Sequence, residues 1–328
     1  MVLIRWYLKL IQLEFEHLLL LPLVSEDEEN ICLPLVITVV SKYWGIELLL
    51  SEAKEVARKY PNIKGSIMIE GIELAERHGL ASLIVNSTIK ELKKTIDMGI
   101  PPIIILPGIH ETVQHAAVIS GYDEAEKSIM HYLPHPDIVG AIPEQKFDQQ
   151  WSEDDRLMLL LAPPDIISKV NLEGKSKEKS NRLCFLSERL RLQGKNEEAK
   201  SLLKKALEIK ESNPTALCLL AGILNDQNSS DAVRYYQKSI EYNKRCYLAY
   251  RGLGNYYLKT KDYTNSEKYY TKAIEINPSR FAPIYKNRGL ARLEQNKKNE
   301  AKEDFKIYLE QMPNARDRKN ILEAIEDL

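Results

Sequence analysis

The 328-residue chain has little cysteine: Cys32, Cys184, Cys218 and Cys246 lie far apart and no two form a Cys-x-x-Cys pair. That spacing excludes a disulfide scaffold and a four-thiolate zinc centre, and reduced thiols in a cytosol are the simplest expectation. Glycine and proline are also scarce, at 14 and 15 residues, while 44% of the chain is hydrophobic. Collagen-like, low-complexity and disordered classes are thereby set aside. Long uncharged apolar runs are missing. Met1 to Val24 is apolar but carries Arg5, Lys9, Glu14, Glu16 and His17, and its longest clean run, Leu18 to Val24, contains Pro22 and is too short to span a bilayer. It is expected to be buried structure with no integral membrane segment and no signal segment, so the sequons at Asn86 and Asn228 carry no weight. The chain lacks a P-loop and a basic stripe interleaved with aromatics, so neither nucleotide nor nucleic acid is an expected partner. His110, His115, His131 and His135 match no familiar zinc spacing, and neither a metal nor any other cofactor is expected.

The net charge of −1 hides an asymmetry. Up to Ala162 there are 14 Lys and Arg against 24 Asp and Glu, a balance of −10; from Pro163 onward there are 32 against 23, a balance of +9. The basic residues of the second half are interleaved with acids along helices, which reads as a solvated helical surface. After Ser180 a pattern recurs at about 34 residues. Its clearest copy is Tyr250, Leu253, Gly254, Tyr257, Tyr263, Tyr270, Ala273 and Pro278. Ala199, Ala232, Ser266 and Ala301 align at its small position, and Leu203, Tyr236, Tyr270 and Phe305 at its bulky one. Pro214, Pro278 and Pro313 interrupt helix continuation between copies. The pattern resembles the tetratricopeptide repeat. It predicts an all-α superhelix over 180–328, with four helix pairs and a capping helix after Asn314 whose outer face is polar. Such an array implies a protein or peptide partner. Arg251 and Asn255 on one first helix, with Asn287 and Arg288 on the next, resemble part of the clamp by which some of these arrays hold acidic tails; asparagine there is also ordinary consensus. Gly252-Leu253-Gly254 lies inside a repeat helix with no preceding strand, so it is no dinucleotide loop.

Residues 1–162 mix periods. Helical patterns cover Cys32 to Tyr43, Ser51 to Tyr60, Ser66 to His78 and Thr88 to Met98. Apolar or β-branched runs at Ser82 to Val85, Pro102 to Leu106, Val113 to Ser120, Ser128 to Tyr132 and Arg156 to Ala162 predict strands. This is an α+β order, with helices early and strands late. Residues 163–179, polar and poorly periodic, are expected to be a linker.

Within that half, the string Cys32-Leu-Pro-Leu-Val-Ile-Thr-Val-Val-Ser-Lys-Tyr-Trp-Gly45 places a cysteine at the head of an apolar helix. It is followed by Gly65-Ser66, the strand at Pro102 to Leu106, His115-Ala-Ala-Val-Ile-Ser-Gly-Tyr-Asp123, and Phe147 with Trp151 before a closing apolar strand. Over about 130 residues this resembles the papain-like cysteine peptidases that cleave double-glycine leader peptides from bacteriocins. A thiol at a helix N-terminus feels the positive end of the macrodipole, which favours the thiolate. The resemblance makes Cys32 the nucleophile and His115 its proton relay. Three positions depart from the family pattern. Leu33 replaces a glycine after the cysteine, Glu26 stands nearest to a glutamine that donates to the oxyanion, and Leu133-Pro134 aligns with the Asp-Pro that orients the histidine. Two classes of function follow: thiol-dependent peptide hydrolysis through Cys32 and His115, or a peptide-binding adaptor of the same fold that does not cut.

Overall fold

A computed structural model of the chain describes residues 17–328 apart from 25, 27, 29–30, 61–62, 64–65, 108–113 and 135–136. The first 16 residues of the apolar N-terminal stretch, with Gly65, His110, Val113 and His135, therefore lie outside the described residues. The chain divides into two compact units. One comprises the described residues up to Leu106 and from Gln114 to Glu211; the other comprises Ser212 to Leu328 with Pro107.

The first unit opens with α1 (Cys32–Tyr43), in which every residue from Leu33 to Ser41 is buried. A helix apolar all round belongs in a core rather than at a surface. Pro34 sits in its first turn, where a missing N–H costs nothing. The helix is pinned at its far end by Trp44, whose Nε1 donates to the Leu161 carbonyl at 2.8 Å, and by Tyr43, whose hydroxyl donates to the Gly99 carbonyl at 3.0 Å. Helices α2 (Leu50–Arg58) and α3 (Met68–Arg77) pack against it, followed by β1 (Ala81–Asn86) and α4 (Ile89–Asp97). Thr88 caps α4 by accepting from the Glu91 N–H at 3.2 Å.

The remaining strands are β2 (Ile103–Pro107), β3 (Gln114–Asp123), β4 (Ser128–Leu133), β5 (Ile138–Pro143) and, after α5 (Glu144–Trp151), β6 (Leu157–Ala162). They form one six-stranded sheet in the order β1-β6-β2-β3-β4-β5, and the β1–β6, β2–β6, β3–β4 and β4–β5 pairs are antiparallel. One core joins α1, α2 and α3 to Ile84, Ile103, Ala116, Val118, Tyr132, Leu159 and Leu161 of the sheet. The described end of the N-terminal stretch meets the sheet at a bridge between Leu18 and Gly121, although Leu23 is exposed. Gly121 is required there, because a Cβ would run into the His17 carbonyl. β5 and α5 were not expected as elements. β5 is a solvated edge strand with Gly140 inside it and a proline at its end, so it carries no apolar alternation.

The stretch 163–179 is structured as well. It contains α6 (Pro164–Lys169) and a 3-10 turn (Glu173–Lys177), and it buries Val170 and Leu172. Gly174 touches the Asn86 backbone so closely that no side chain would fit. Next come α7 (Glu178–Leu192) and α8 (Asn196–Ile209), the first helix pair of the array, and both belong to the first unit. Phe185 of α7 enters the core of the mixed sheet. Arg189 bridges Glu70 and Glu73 of α3 at 2.8 and 2.6 Å, while Arg182 forks onto Glu76 at 2.7 and 2.8 Å.

The second unit holds three further pairs: α9 (Pro214–Asp226) with α10 (Asp231–Tyr242), α11 (Tyr247–Lys259) with α12 (Tyr263–Ile276), and α13 (Pro283–Leu293) with α14 (Lys298–Gln311). A last helix, α15 (Arg318–Glu326), follows. Four pairs and a terminal helix are what the 34-residue period predicts. Ala199, Ala232, Ser266 and Ala301 are each fully buried, where the two helices of a pair meet. The bulky position fills the opposite gap: a Cβ on Gly254 would lie 2.5 Å from the Tyr270 ring, and one on Gly289 would lie 2.7 Å from Phe305. Pro214 occupies the first turn of α9, capped by the Asn213 carboxamide, which accepts from the Thr215 and Ala216 N–H groups.

Candidate functional site

Cys32 is the first residue of α1 and is only partly exposed. Its sulfur is approached by the backbone N–H of Ala116, the residue after His115, as well as by those of Leu33 and Cys32 itself. The head of α1 is thus held against the start of β3, and the two residues singled out for chemistry lie on adjoining segments. His115 is buried, with 5% of its surface exposed. The charge state of the thiol differs from the sequence expectation. Burial pushes the Cys32 thiol above its ordinary range and outweighs the three N–H groups that favour the thiolate. A macrodipole acts on a half-open helix end, but here Leu33 and the surrounding core remove the water that would stabilise the anion.

The flanking groups are all engaged. Glu26 meets the ammonium of Lys54 on α2 at 3.0 Å, and Lys54 also reaches Glu28 at 3.3 Å. Leu133 is buried at the end of β4, opposite Ile138. The nearest carboxylate downstream, Asp137, accepts a hydrogen bond from the Tyr132 hydroxyl at 2.8 Å, and that hydroxyl accepts in turn from the Val24 N–H at 3.1 Å. Burial and the Asp137 charge both push the Tyr132 phenol far above its usual range, so it stays a donor. None of Ala116, Lys54 or Tyr132 was singled out from sequence. A backbone donor has no residue signature, Lys54 acts through Glu26 on a segment before α1, and Tyr132 links nearby Asp137 to the distant Val24.

Of the four histidines considered for a metal, two are described, on β3 and β4. His131 lies on β4, buried and neutral because desolvation lowers its pKa, while His110 and His135 lie outside the described residues. Among the described residues no group of three His, Cys, Asp or Glu side chains is placed to hold a metal ion, and no helix is long and apolar enough to cross a membrane.

The four residues proposed for peptide binding separate into two sets. Arg251 and Asn255 lie one turn apart on α11, and Asn255 Oδ1 accepts from the Tyr270 hydroxyl at 2.7 Å; Asn287 of α13 hydrogen-bonds the same tyrosine. Arg288 is committed elsewhere. It forks onto Asp304 at 2.7 and 3.0 Å and touches Thr271 at 3.2 Å, in a network that continues through Arg292 to Glu267.

Comparison with known proteins matches residues 183–213 and 247–280 to the tetratricopeptide repeat family. These are the first and third helix pairs of the array. No curated protein matches the chain significantly. Among solved structures it is similar to Pseudomonas aeruginosa pilF, at 24% identity over 46% of this chain and 68% of that one, with a TM-score of 0.42. It is also similar to the peptidase domain of Streptococcus ComA, a bi-functional ABC transporter, at 20% identity over 43% of this chain and 96% of that one, with a TM-score of 0.36. A third similar structure is a double glycine motif protease from an AMS/PCAT transporter in complex with its leader peptide. The match there is 19% identical over 44% of this chain and 94% of that one, with a TM-score of 0.36. Within the repeat array, the two matched stretches are thus tetratricopeptide repeats by sequence as well as by helix pairing.

Proposed function

We propose that the chain is an adaptor whose peptidase-like domain and repeat array hold peptide or protein ligands without cutting them. The observation that carries this reading is the state of Cys32. Burial pushes its thiol toward the neutral form, and positions 26, 133 and 137 carry groups that are unsuited to support a hydrolase or are engaged elsewhere. Hydrolysis needs the thiolate, an oriented imidazole and a donor for the oxyanion. Leu133 offers no acceptor to orient the imidazole, Asp137 is occupied by Tyr132, and Glu26 is a carboxylate bound to Lys54. An ionised Glu accepts where the oxyanion needs a donor. Loss of one oxyanion donor costs about 10²- to 10³-fold in rate, and loss of the orienting carboxylate about 10⁴-fold in a comparable triad. Four free thiols fit a reducing compartment such as the cytosol.

A second reading, slow thiol-dependent hydrolysis with Cys32 as nucleophile and His115 as relay, is favoured by the contact between Cys32 and the residue after His115. Reaction of the full chain with a thiol-directed peptidase probe, beside a fluorogenic peptide assay, separates the two. The adaptor reading expects no turnover and no labelling that Cys32→Ala removes. Turnover and labelling that both vanish in Cys32→Ala overturn it in favour of hydrolysis.

A further inference from the structure

The six-stranded sheet ends differently on its two sides. At β1 the outer edge is closed: Gly174 lies against the Asn86 backbone, and the Asn181 carboxamide donates to the Ile84 carbonyl at 3.2 Å. At β5 no strand lies beyond, among the described residues. Such an edge is a template for another chain, and proteins commonly blunt it with charge, proline or a bulge. β5 reads Ile-Val-Gly-Ala-Ile-Pro and carries no charged side chain. At 66%, Val139 is the most exposed large apolar side chain among the described residues, and Ile138 beside it is exposed as well.

The register tells which backbone groups are on offer. Glu144 donates its N–H to the Lys127 carbonyl at 2.8 Å, and β5 then pairs with β4 without a shift, from Pro143 opposite Ser128 to Ile138 opposite Leu133. Hydrogen-bonded pairs alternate along an antiparallel ladder, so Ile138, Gly140 and Ile142 direct their N–H and C=O groups to β4. Val139, Ala141 and Pro143 turn theirs outward, and proline has no N–H to give.

A second copy laid antiparallel about a two-fold axis at Gly140 meets these groups with its own. Val139 then faces the copy's Ala141, and Ala141 the copy's Val139, so both outward N–H groups of each chain find a carbonyl on the other. Ile138 faces the copy's Ile142, which makes the cross-strand pairs apolar on both faces. Other registers are poorer. Sliding two residues one way sets Val139 against the copy's Pro143, which cannot donate; sliding the other way sets Ala141 against Asp137, whose φ of 64° takes it out of the extended region. The favoured register also matches charge. Asp137 falls beside the start of the copy's α5, a helix with no side-chain cap and with Lys146 exposed in its first turn, while Glu144 there is held by Lys93 at 2.7 Å.

We propose that β5 is an interface between two copies of this chain, joined edge to edge by antiparallel pairing centred on Gly140 into one continuous sheet. The contact uses the same patch on both copies, so it closes at a dimer. It is also short, with 6 residues a side against the roughly 20–30 of a standard interface, and the dimer is accordingly weak and concentration-dependent. The proposal stands apart from the state of Cys32 and from the adaptor reading.

Sedimentation equilibrium of the full chain over a concentration series tests it. Wild type is expected to move from monomer to dimer mass as the concentration rises. Ala141→Pro removes an outward N–H that β4 does not use, and Val139→Lys, at an exposed position, brings two ammonium groups to diagonal places across the axis. Each is expected to weaken the dimer at least about tenfold, with the melting temperature of the monomer unchanged. Val139→Lys combined with Ala141→Glu sets opposite charges face to face in this register alone, and the dimer is expected to return. A wild type that stays monomeric at every soluble concentration overturns the proposal; if it then binds a fluorescein-labelled Ile-Val-Gly-Ala-Ile-Pro peptide that the Ala141→Pro chain does not bind, the edge takes a foreign strand and not a second copy. A dimer that both single variants leave intact, or that the double variant fails to restore, overturns it too, because the contact then lies elsewhere or in another register.

Discussion

Glu70 and Glu76 on α3 and Glu188 on α7 are carboxyls of one unit whose titrations run in opposite directions. Burial works against ionisation of Glu70 and Glu76, but Lys59, Tyr60 and Arg189 around the first, with Arg182 and Ser82 around the second, outweigh it and hold both below the usual range. Their pairs stabilise the fold above a pH of about 4.5 and lose that stabilisation as the pH falls through the lowered folded values. At Glu188 burial is opposed only by Arg191, and its carboxyl is pushed up to about 7; burial likewise pushes Asp155 up to about 6. For these two the folded protein binds more protons than the unfolded chain between about pH 4 and 7, so stability falls as the pH rises through that window. Together the signs predict a stability maximum for the first unit near pH 5, with a decline toward neutrality that Glu188→Gln reduces to the part due to Asp155. Urea unfolding at closely spaced pH values checks this: the variant should gain on the order of 1 kcal/mol at pH 8 and little at pH 5. A flat profile between pH 5 and 8 in wild type would refute the assignment.

Helix by helix, the repeat pattern also decides the sign of a substitution that propensity alone gets wrong. Replacing glycine by alanine in a helix interior is normally favourable by about 1 kcal/mol. At Gly254 the new methyl would lie 2.5 Å from a ring that cannot retreat, because Tyr270 is fully buried and its hydroxyl is tied to Asn255. Overpacking of that kind costs about 1–3 kcal/mol. Gly254→Ala should therefore lower the stability of the second unit, and the loss should shrink in the Tyr270→Leu background; a melting series of the two singles and the double measures it. The small and bulky positions behind this argument were legible from a 34-residue period because each copy repeats the same contact. α1 was legible from end to end for a related reason: a run after a cysteine and a proline that is apolar but for Thr38 and Ser41 has few other solutions. β5 was hidden because an exposed edge strand needs no apolar alternation. The stretch 163–179 read as a linker because it docks through a handful of residues, among them Ile167, Val170 and Leu172, in a polar background. At the candidate site the residue types at 32 and 115 could be seen, but not the burial that keeps the thiol neutral.

For the molecule as a whole, the chemistry of the first unit depends on helices that sequence assigns to the repeat array. α7 gives the mixed domain an aromatic core residue, Phe185, and closes α3 with two arginines. Asn181 donates to the Ile84 carbonyl at 3.2 Å and to Asn86 Oδ1 at 3.0 Å. α8 then ties α7 in place, with the Ser180 hydroxyl donating to the Ala206 carbonyl at 2.8 Å. Cutting the chain at Ala162 would expose the apolar surface beneath Phe185 and leave Glu70 buried with only Lys59 and Tyr60. Removing a buried aromatic costs about 3–5 kcal/mol, and a lost buried ionic partner adds to it. That is a large part of the 5–15 kcal/mol by which a domain is usually stable. A fragment ending at Glu211 should therefore melt cooperatively, whereas one ending at Ala162 should melt at least about 10 °C lower or fail to show a transition. Calorimetry of the two fragments decides it. Equal melting temperatures would mean that α7 and α8 are appended to a self-sufficient domain, and the mixed helix-and-sheet core would then have to be stable without the first repeat.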